Sequence, residues 1–372
     1  MKICFYNVTA SFIPGGLETY CWEAGRALAR RGHEVTIVAG DRGKARHDEV
    51  RLVQFPFRVE QDWVDLGTRF RRLMERLSFA RHSLEHLVRS RYDAVIVNKP
   101  FDFPILWQAR RRGLRAQTLF RSGGTDFFVG DRLFCSAILH WVSASRYNAK
   151  QVEQRYHRSV KVIHNGVDTS VFAPQARQPA VRSALGAAPE DFLIVSVGRL
   201  VGWKGVRVVL EAIASLPERI RHLVIGEGPE LDNLSRQAQR AGIGHRVRFL
   251  GRVRHAELPL LLSQCDLFVQ PSIGEEAFGI SVAEAMACGL PVFASNNGGL
   301  PEIVVEEETG RLLAPGSVSA WRSAIEAAAA DSARLRGLGD KGRARAQTEF
   351  TWTANAARLE SLFLEGAACA AS

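Results

Sequence analysis

Two glutamates, Glu276 and Glu284, flank the beginning of a short helix that the sequence predicts over residues 280–288. Gly279 opens this helix, so the first amides of the helix lack partners and form a terminus that attracts phosphate. A carboxylate beside a phosphate would repel it. We therefore expect the two acids to contact neutral hydroxyl groups, such as those of a sugar and a ribose. The alternative is an ordinary crossover helix with a capping glutamate and solvated acids.

Two basic residues, Arg199 and Lys204, lie in the loop that follows the predicted strand 192–197. Each brings a positive charge to the carboxyl edge of a sheet, where open α/β folds bind their ligands. Together with the helix terminus at Gly279, they predict a clamp for a diphosphate. Neutralising a departing diphosphate stabilises developing charge, which gives both residues a catalytic role. The alternative for each residue, taken alone, is a solvated position on the surface.

Other kinds of site have little support in the sequence. No GxxxxGK[ST], HExxH or GxSxG motif is present, and no paired acids of the DxD kind follow a strand. We therefore expect neither a metal ion nor a cofactor. The first glycine loop, around Gly15 and Gly16, is not a GxGxxG dinucleotide site, but its glycines let backbone approach a ligand closely. A plain surface turn is the alternative there.

Strand and helix patterns alternate twice along the chain. They predict an α/β protein of two doubly wound Rossmann-like domains that face a central cleft. The first domain is predicted over residues 1–168 and the second over residues 191–351. Residues 169–190 contain three prolines and little periodicity, which is typical of a linker.

The net charge of +10 is concentrated in the first half of the chain. Residues 1–168 contain 28 Lys and Arg against 17 Asp and Glu, a net +11, whereas the remainder contains 21 against 22, a net −1. A basic half suits an anionic membrane surface or an acidic acceptor, and an arginine-rich solvated surface is the alternative. We expect no nucleic acid partner, because the charge is spread over a domain rather than set in a stripe with aromatics.

The six cysteines are scattered without a CxxC pair, which is typical of a reducing compartment. With no signal-peptide pattern and no long apolar run, the sequence predicts a cytoplasmic protein, free or peripheral on the cytoplasmic face of the inner membrane. Residues 63–88 form a basic amphipathic stretch. It fits a helix that buries its apolar stripe on the sheet, and membrane contact through its basic face is an alternative.

An ordered set of motifs resembles family 4 glycosyltransferases, which have the GT-B fold and retain the anomeric configuration. Glu276 and Glu284, seven residues apart in PSIGEEAFGISVAEAMACGLPV, resemble the EX7E motif of that family. PGGLE, VIHNGVD, VGRLVGWKG and NNGGLPEIV resemble its N-terminal loop, its domain junction, its diphosphate loop and the segment after the second glutamate. The terminal FTW and the helix 352–372 resemble the segment that packs back on the first domain. A looser similarity joins the first half to lipopolysaccharide-core glucosyltransferases.

The resemblance implies a transfer from a nucleotide-diphosphate sugar, with UDP or GDP as the nucleotide and without a metal. It implies that Arg199 and Lys204 hold the diphosphate, and that Glu284 holds the ribose. Gly15 and Gly16 would approach the phosphate from the first domain. The remaining donor contacts fall on Glu276, Ala277, Phe278, Gly279 and Ile280 around the sugar and phosphate, and on backbone near Arg252 and Val253 for the base.

One turn departs from the family pattern. Many relatives carry a histidine in the turn after a first-domain strand, but here Gly123 stands at that position. An imidazole contact to the donor sugar is therefore missing. Asp126 remains, and we expect it to orient the acceptor hydroxyl or to take its proton; a structural turn residue is the alternative. Lys99 is expected on the same acceptor side.

The sequence thus predicts a retaining hexosyltransferase whose partners are a nucleotide sugar and a glycan or lipid-linked acceptor. The expected setting is the synthesis of lipopolysaccharide or another cell-envelope polysaccharide. A nucleotide-sugar 2-epimerase, a secondary-metabolite glycosyltransferase and a non-catalytic sugar-nucleotide-binding subunit are the alternatives. The oligomeric state is left open.

Overall fold

The computed structural model describes residues 1–13 and 15–371, with side chains through residue 366. The chain forms two compact units. Unit 1 comprises Met1–Gly166 together with the residues from Trp352 onward, and unit 2 comprises Val167–Thr351. Each unit has a parallel sheet flanked by helices, which confirms the predicted doubly wound α/β class. No helix in the described ranges has both the length and the apolar character needed to cross a bilayer.

The sheet of unit 1 has seven strands in the described part of the chain. They are β1 (Lys2–Tyr6), β2 (Glu34–Gly40), β3 (Arg51–Phe55), β4 (Ala94–Val97), β5 (Gln117–Ser122), β6 (His140–Ser143) and β7 (Lys161–Val162). The helices that join them are α1 (Gly16–Arg30), α2 (Thr68–Arg89), α3 (Phe103–Arg111) and α4 (Arg146–Tyr156). In the strand order β3-β2-β1-β4-β5-β6-β7, strands β2 and β3 are added on one side of β1 and the later strands on its other side. The position between β1 and β4 is therefore a topological switch point, where such sheets bind ligands.

Helix α2 packs on the sheet through part of the apolar stripe predicted within residues 63–88. Leu84 is buried and Val88 packs against the same core, whereas Leu66 lies before the helix and Leu77 is exposed on it. The buried face also contains Arg76 and Phe79. Arg76 forms a buried ion pair with Asp102, with 2.6 Å between Nη1 and Oδ2. The face that α2 buries therefore combines apolar side chains with one enclosed ion pair, which the hydrophobic pattern alone does not indicate.

The sheet of unit 2 has six strands over the described residues. They are β8 (Phe192–Val197), β9 (Ile220–Ile225), β10 (Val247–Gly251), β11 (Leu267–Gln270), β12 (Val292–Ser295) and β13 (Gly310–Leu313). The helices are α5 (Pro179–Ala184), α6 (Val206–Ala214), α7 (Leu231–Arg240), α8 (Leu258–Ser263), α9 (Ile280–Ala287), α10 (Val318–Ala330) and α11 (Ser332–Glu349). The order β10-β9-β8-β11-β12-β13 places the switch point between β8 and β11.

Residues 169–190, for which the sequence predicts a linker, lie within unit 2 and contain helix α5. Arg182 of this helix is buried and donates to the backbone oxygens of Asp191 and Gln264. Its Nη2 also lies 3.0 Å from Oδ2 of Asp266. A linker would make few such contacts, so the proline-rich composition here reflects an irregular path along the unit rather than a hinge.

Helix α12 (Trp352–Ala371) follows unit 2 in sequence but packs on α1 of unit 1. The ring centroids of Trp352 and Tyr20 are 6.1 Å apart. Glu360 pairs with Arg31 and lies 2.9 Å from His33 Nε2. An aromatic contact at one end and ion pairs near the middle thus hold the helix on unit 1.

Replacing Arg182 with alanine is expected to lower the free energy of unfolding by about 3 kcal/mol, because two buried carbonyls and a carboxylate lose their donor. Arg177 is the matched control, since it pairs with the other oxygen of Asp266 from an exposed position. Arg177→Ala should cost under about 1 kcal/mol. Urea denaturation of both variants measures the difference, and equal small effects would show that residues 169–190 behave as a linker.

Candidate functional site

The loops after β8 and β11 are in direct backbone contact at the switch point of unit 2. Trp203 O accepts hydrogen bonds from the amides of Ile273 at 2.8 Å and Gly274 at 3.0 Å. Gly205 has a φ of +69°, and a Cβ at this residue would lie 2.0 Å from Pro271 O. Only glycine therefore lets the two loops approach so closely.

Glu276 is a buried carboxylate, and hydrogen-bond donors from β11 and from the two loops surround it. Its Oε1 accepts hydrogen bonds from Gln270 Nε2 and Ser272 Oγ, both at 2.9 Å. Lys204 Nζ, from the other loop, pairs with the same oxygen and also lies 4.9 Å from the centroid of the Trp203 ring. A buried carboxylate is stable only when it is paired and hydrogen-bonded. The structure thus joins two predicted ligand-binding residues to each other, which sequence reasoning did not predict.

A third loop, after β12, closes on the backbone of Glu276. Gly299 N donates to Glu276 O at 2.7 Å, and Asn297 Nδ2 donates to Ile273 O at 3.2 Å. Gly298 has a φ of +61°, and a Cβ there would lie 2.3 Å from Glu276 O. The glycines of the NNGG motif therefore serve to pack this loop against the acid.

Helix α9 begins beside this cluster with a terminus that no side chain caps. Its N-cap residue, Gly279, has φ +111° and ψ +66° and makes no side-chain cap hydrogen bond. The amide of Ile280 therefore faces the loop side of the helix, where an anion could accept from it. Ala277 is half-buried, whereas the Phe278 ring is buried 5.6 Å from the Phe350 ring, so Phe278 offers a ligand only its backbone.

Arg199 follows β8 with an exposed side chain. It lines a small pocket together with Gly198, Lys204, Gln270 and Pro271. Positive charge, a helix terminus and a carboxylate thus converge at one end of one sheet. No cluster of His, Cys, Asp and Glu side chains within the described ranges could hold a metal ion.

Glu284 lies inside α9 and is buried. Its Oε1 is 2.6 Å from Nε2 of His255, whose ring centroid lies 4.9 Å from that of Phe172. Arg252 and Val253 lie in the same loop as His255, the first exposed and the second half-buried. Sequence reasoning missed His255, since nothing in its separation of 29 residues from Glu284 indicates contact.

On unit 1, Asp126 forms an ion-pair network with Lys99 and Arg72. Lys99 Nζ pairs with Oδ2, and Arg72 Nη1 lies 3.3 Å from Oδ1. Burial opposes ionisation of the carboxyl, but the two cations outweigh it and hold the pKa of Asp126 below its usual range. Such a carboxylate is a weak base, so the geometry favours a role in orienting a hydroxyl over one in removing its proton.

Two of the predicted site glycines of unit 1, Gly15 and Gly123, occupy crowded positions. Gly15 is the N-cap residue of α1 and Gly16 is its first residue. A Cβ on Gly15 would lie 2.5 Å from a carboxylate oxygen of Glu18. A Cβ on Gly123 would lie 2.6 Å from Leu17 Cδ2, so a larger side chain at 123 requires that leucine to move.

Two family models match the chain, one in each half. The model described as "Glycosyltransferase Family 4" matches residues 14–171, and that described as "Glycosyl transferases group 1" matches residues 177–345. Both site clusters of unit 2, around Glu276 and Glu284, lie within the second match.

Two curated relatives illustrate the similarity. A "GDP-mannose-dependent alpha-(1-6)-phosphatidylinositol monomannoside mannosyltransferase" of Mycolicibacterium smegmatis is 28% identical over 95% of this chain and 97% of its own length. A "D-inositol 3-phosphate glycosyltransferase" of Mycobacterium marinum is 37% identical over 52% of this chain. That alignment spans only 42% of the length of the M. marinum protein.

Solved structures with the same fold cover almost the whole chain. Sucrose-phosphate synthase of Thermosynechococcus elongatus superposes with a TM-score of 0.84, at 24% identity over 99% of both chains. Anabaena HepE in complex with UDP and glucose gives 0.82, at 22% identity over 98% of this chain and 100% of its own. WaaG, a glycosyltransferase involved in lipopolysaccharide biosynthesis, gives 0.73 at 18% identity over 95% of this chain and 97% of its own. These likenesses confirm the GT-B fold that the sequence predicts.

The Asp126 network predicts a pH-dependent contribution to stability. Because the folded-state pKa of Asp126 is lowered, its stabilising effect is present above the usual carboxyl range and disappears as the pH falls below that range. Asp126→Asn should therefore lower stability at pH 7 by under about 1 kcal/mol, since the side chain is partly exposed. The difference from the parent protein should shrink as the pH falls from the usual carboxyl range toward the lowered folded-state pKa.

Thermal unfolding from pH 3 to pH 8 measures this effect. Glu85→Gln is the control, because Glu85 pairs with Arg89 at an exposed position. A gap between Asp126→Asn and the parent that persists unchanged at low pH would contradict the electrostatic account.

Proposed function

Because the chain belongs to the GT-B glycosyltransferases, we propose that it moves a hexose, with retention, from a nucleotide-diphosphate sugar to a glycan or lipid-linked acceptor. One observation carries this proposal. At the switch point of unit 2, the loops after β8 and β11 bring Lys204, Glu276 and the uncapped terminus of α9 to one end of the sheet. Lys204 and the helix terminus can bind phosphate, and the Glu276 carboxylate can bind hydroxyl groups.

In this proposal, Arg199, Lys204 and the amides at Gly279 and Ile280 bind the diphosphate. These groups also stabilise the charge that develops on the diphosphate as the bond to the sugar breaks. Since they supply that charge without a metal, we propose a metal-independent reaction. Glu284 and the loop at Arg252 and Val253 bind the ribose and base, with UDP or GDP as the nucleotide.

Glu276 is proposed to bind hydroxyl groups of the donor sugar rather than to attack it. Its Oε1 already accepts from Gln270, Ser272 and Lys204. An oxygen with three donors is a poor nucleophile, whereas the second oxygen can still accept from a sugar hydroxyl. Retention would then follow from same-face attack, with the leaving phosphate helping to deprotonate the acceptor.

Unit 1 is proposed to bind the acceptor, with Lys99 and Asp126 on that side. The basic surplus of residues 1–168 suits a phosphorylated or lipid-linked acceptor at the cytoplasmic face of the inner membrane. The M. smegmatis relative is named for a phosphatidylinositol mannoside acceptor and WaaG for lipopolysaccharide. Both names support a cell-envelope glycan as the product.

Substitutions of Lys204 and Glu276 distinguish binding of the diphosphate from binding of the donor sugar. Lys204→Ala should raise the Kd for UDP or GDP at least about tenfold and leave that for UMP or GMP nearly unchanged, because the monophosphate lacks the second phosphate group. Glu276→Gln should weaken binding of the nucleotide sugar but not of the free diphosphate, since it frees Lys204 for the phosphate. Isothermal titration calorimetry measures both.

Arg207→Ala is the control for Lys204, because Arg207 is exposed and pairs with Glu211 on α6. It should leave every affinity unchanged. If Lys204→Ala bound the diphosphate as tightly as the parent protein, the proposed diphosphate site would be wrong.

A panel of UDP-, GDP- and ADP-sugars should raise the melting temperature for at least one member, by about 2–4 °C at saturating concentration. The member that does so identifies the base and the sugar. Stabilisation by none of them would contradict the proposed donor class.

A further inference from the structure

Arg121 is a buried cation in unit 1 that has no acidic partner among the residues described by the structure. It lies near the carboxyl end of β5 and is 2% exposed. Among the described residues, no carboxylate forms an ion pair with it. Burying an uncompensated charge is costly, so buried arginines are normally paired with acids. The other buried arginine at this end of unit 1, Arg76, follows that rule through Asp102.

The contacts of Arg121 satisfy only part of its guanidinium. One nitrogen, Nη2, donates to Asn165 Oδ1, and the group lies 4.0 Å above the ring of Tyr20. Nε has no hydrogen-bond partner among the described residues. Burial lowers the pKa of Arg121, and Tyr20 and Cys21 offset this only in part. A neutral amide and a ring thus hold the group in place but do not neutralise its charge.

The guanidinium faces the turn that follows β5. Its Nη1 lies 2.8 Å from the point that a Cβ on Gly123 would occupy, next to Leu17 in the first turn of α1. Glycine at 123 therefore leaves room for this nitrogen. Glu18, the acid in the first turn of α1, accepts a hydrogen bond from Thr9 Oγ1 at 2.6 Å and forms no ion pair with Arg121.

We propose that Arg121 binds a phosphate group of a substrate at the Gly123 turn of unit 1. A phosphate supplies the missing negative charge and accepts from the fork of guanidinium donors that Asn165 and Tyr20 orient. This inference rests on the proposed function, which provides two sources of such a group. One is the diphosphate of the donor, and the other is a phosphorylated acceptor.

Calorimetric titration with UDP and with inorganic phosphate, at constant ionic strength, tests the proposal on the full chain. Arg121→Gln should weaken the binding of at least one of them about tenfold, because a charged hydrogen bond is lost. Gly123→Ala is a second test of the same site, since the added methyl group displaces Nη1 of Arg121. It should weaken binding to a similar degree. Arg110→Gln removes a half-buried charge of unit 1 that serves backbone and Thr118 oxygens, and it is the control.

The outcomes separate the two sources. Weaker UDP binding assigns the phosphate to the donor, and weaker phosphate binding with unchanged UDP binding assigns it to the acceptor. Unchanged affinities for both ligands in folded Arg121→Gln and Gly123→Ala would overturn the proposal, and Arg121 would then be a packing residue. If the parent protein turned over no nucleotide sugar, the proposed function would fail, while loss of phosphate binding would still support this site.

Discussion

A carboxylate removed from water, Glu276, sets the arrangement of unit 2 around its switch point. Burying such a group is costly unless donors surround it, and here the donors come from β11 and from two loops that follow different strands. Gly205 lets the backbones of these two loops approach without a side chain, and Gly298 does the same for the third loop, after β12, against the backbone of Glu276. The acid, its cation and the helix terminus are consequently held as one preorganised group, as a site that stabilises developing charge requires.

The two units differ in how they compensate buried charge. In unit 2 a buried acid is matched by one cation that the proposed reaction also uses. In unit 1 Asp126 lies between two cations, Lys99 and Arg72, and Arg72 also pairs with Glu60. The network around Asp126 thus balances two cations with two acids. The buried Arg121, by contrast, forms no ion pair with an acid among the described residues, and its charge is left for the proposed phosphate to neutralise.

The alternation of strands and helices could be predicted from the sequence, because buried parallel strands read as short apolar runs between helical patterns. The positions of Lys204 and Glu276 in loops that follow strands, and of Gly279 at the start of a helix, followed from the same pattern. The contacts between these side chains could not be predicted from the sequence, because Lys204 and Glu276 are 72 residues apart and His255 and Glu284 are 29 residues apart. The buried face of α2 could be predicted only in part for a related reason, since hydrophobicity indicates the burial of Leu84 but not that Arg76 turns inward toward Asp102. Proline content led to the prediction of a linker over residues 169–190, but it describes the local stiffness of the chain and not whether a segment is packed on a domain.

Helix α12 belongs to unit 1 but follows unit 2 along the chain. During synthesis, residues 167–351 leave the ribosome before α12 does, so unit 2 can fold while unit 1 still lacks one of its helices. Until then, Tyr20 and the basic end of α1 have neither Trp352 nor Glu360 to contact. Ribosome-bound chains that stop before residue 352 should therefore expose this side of α1 to chaperones, and unit 1 should be completed only after unit 2 has left the ribosome.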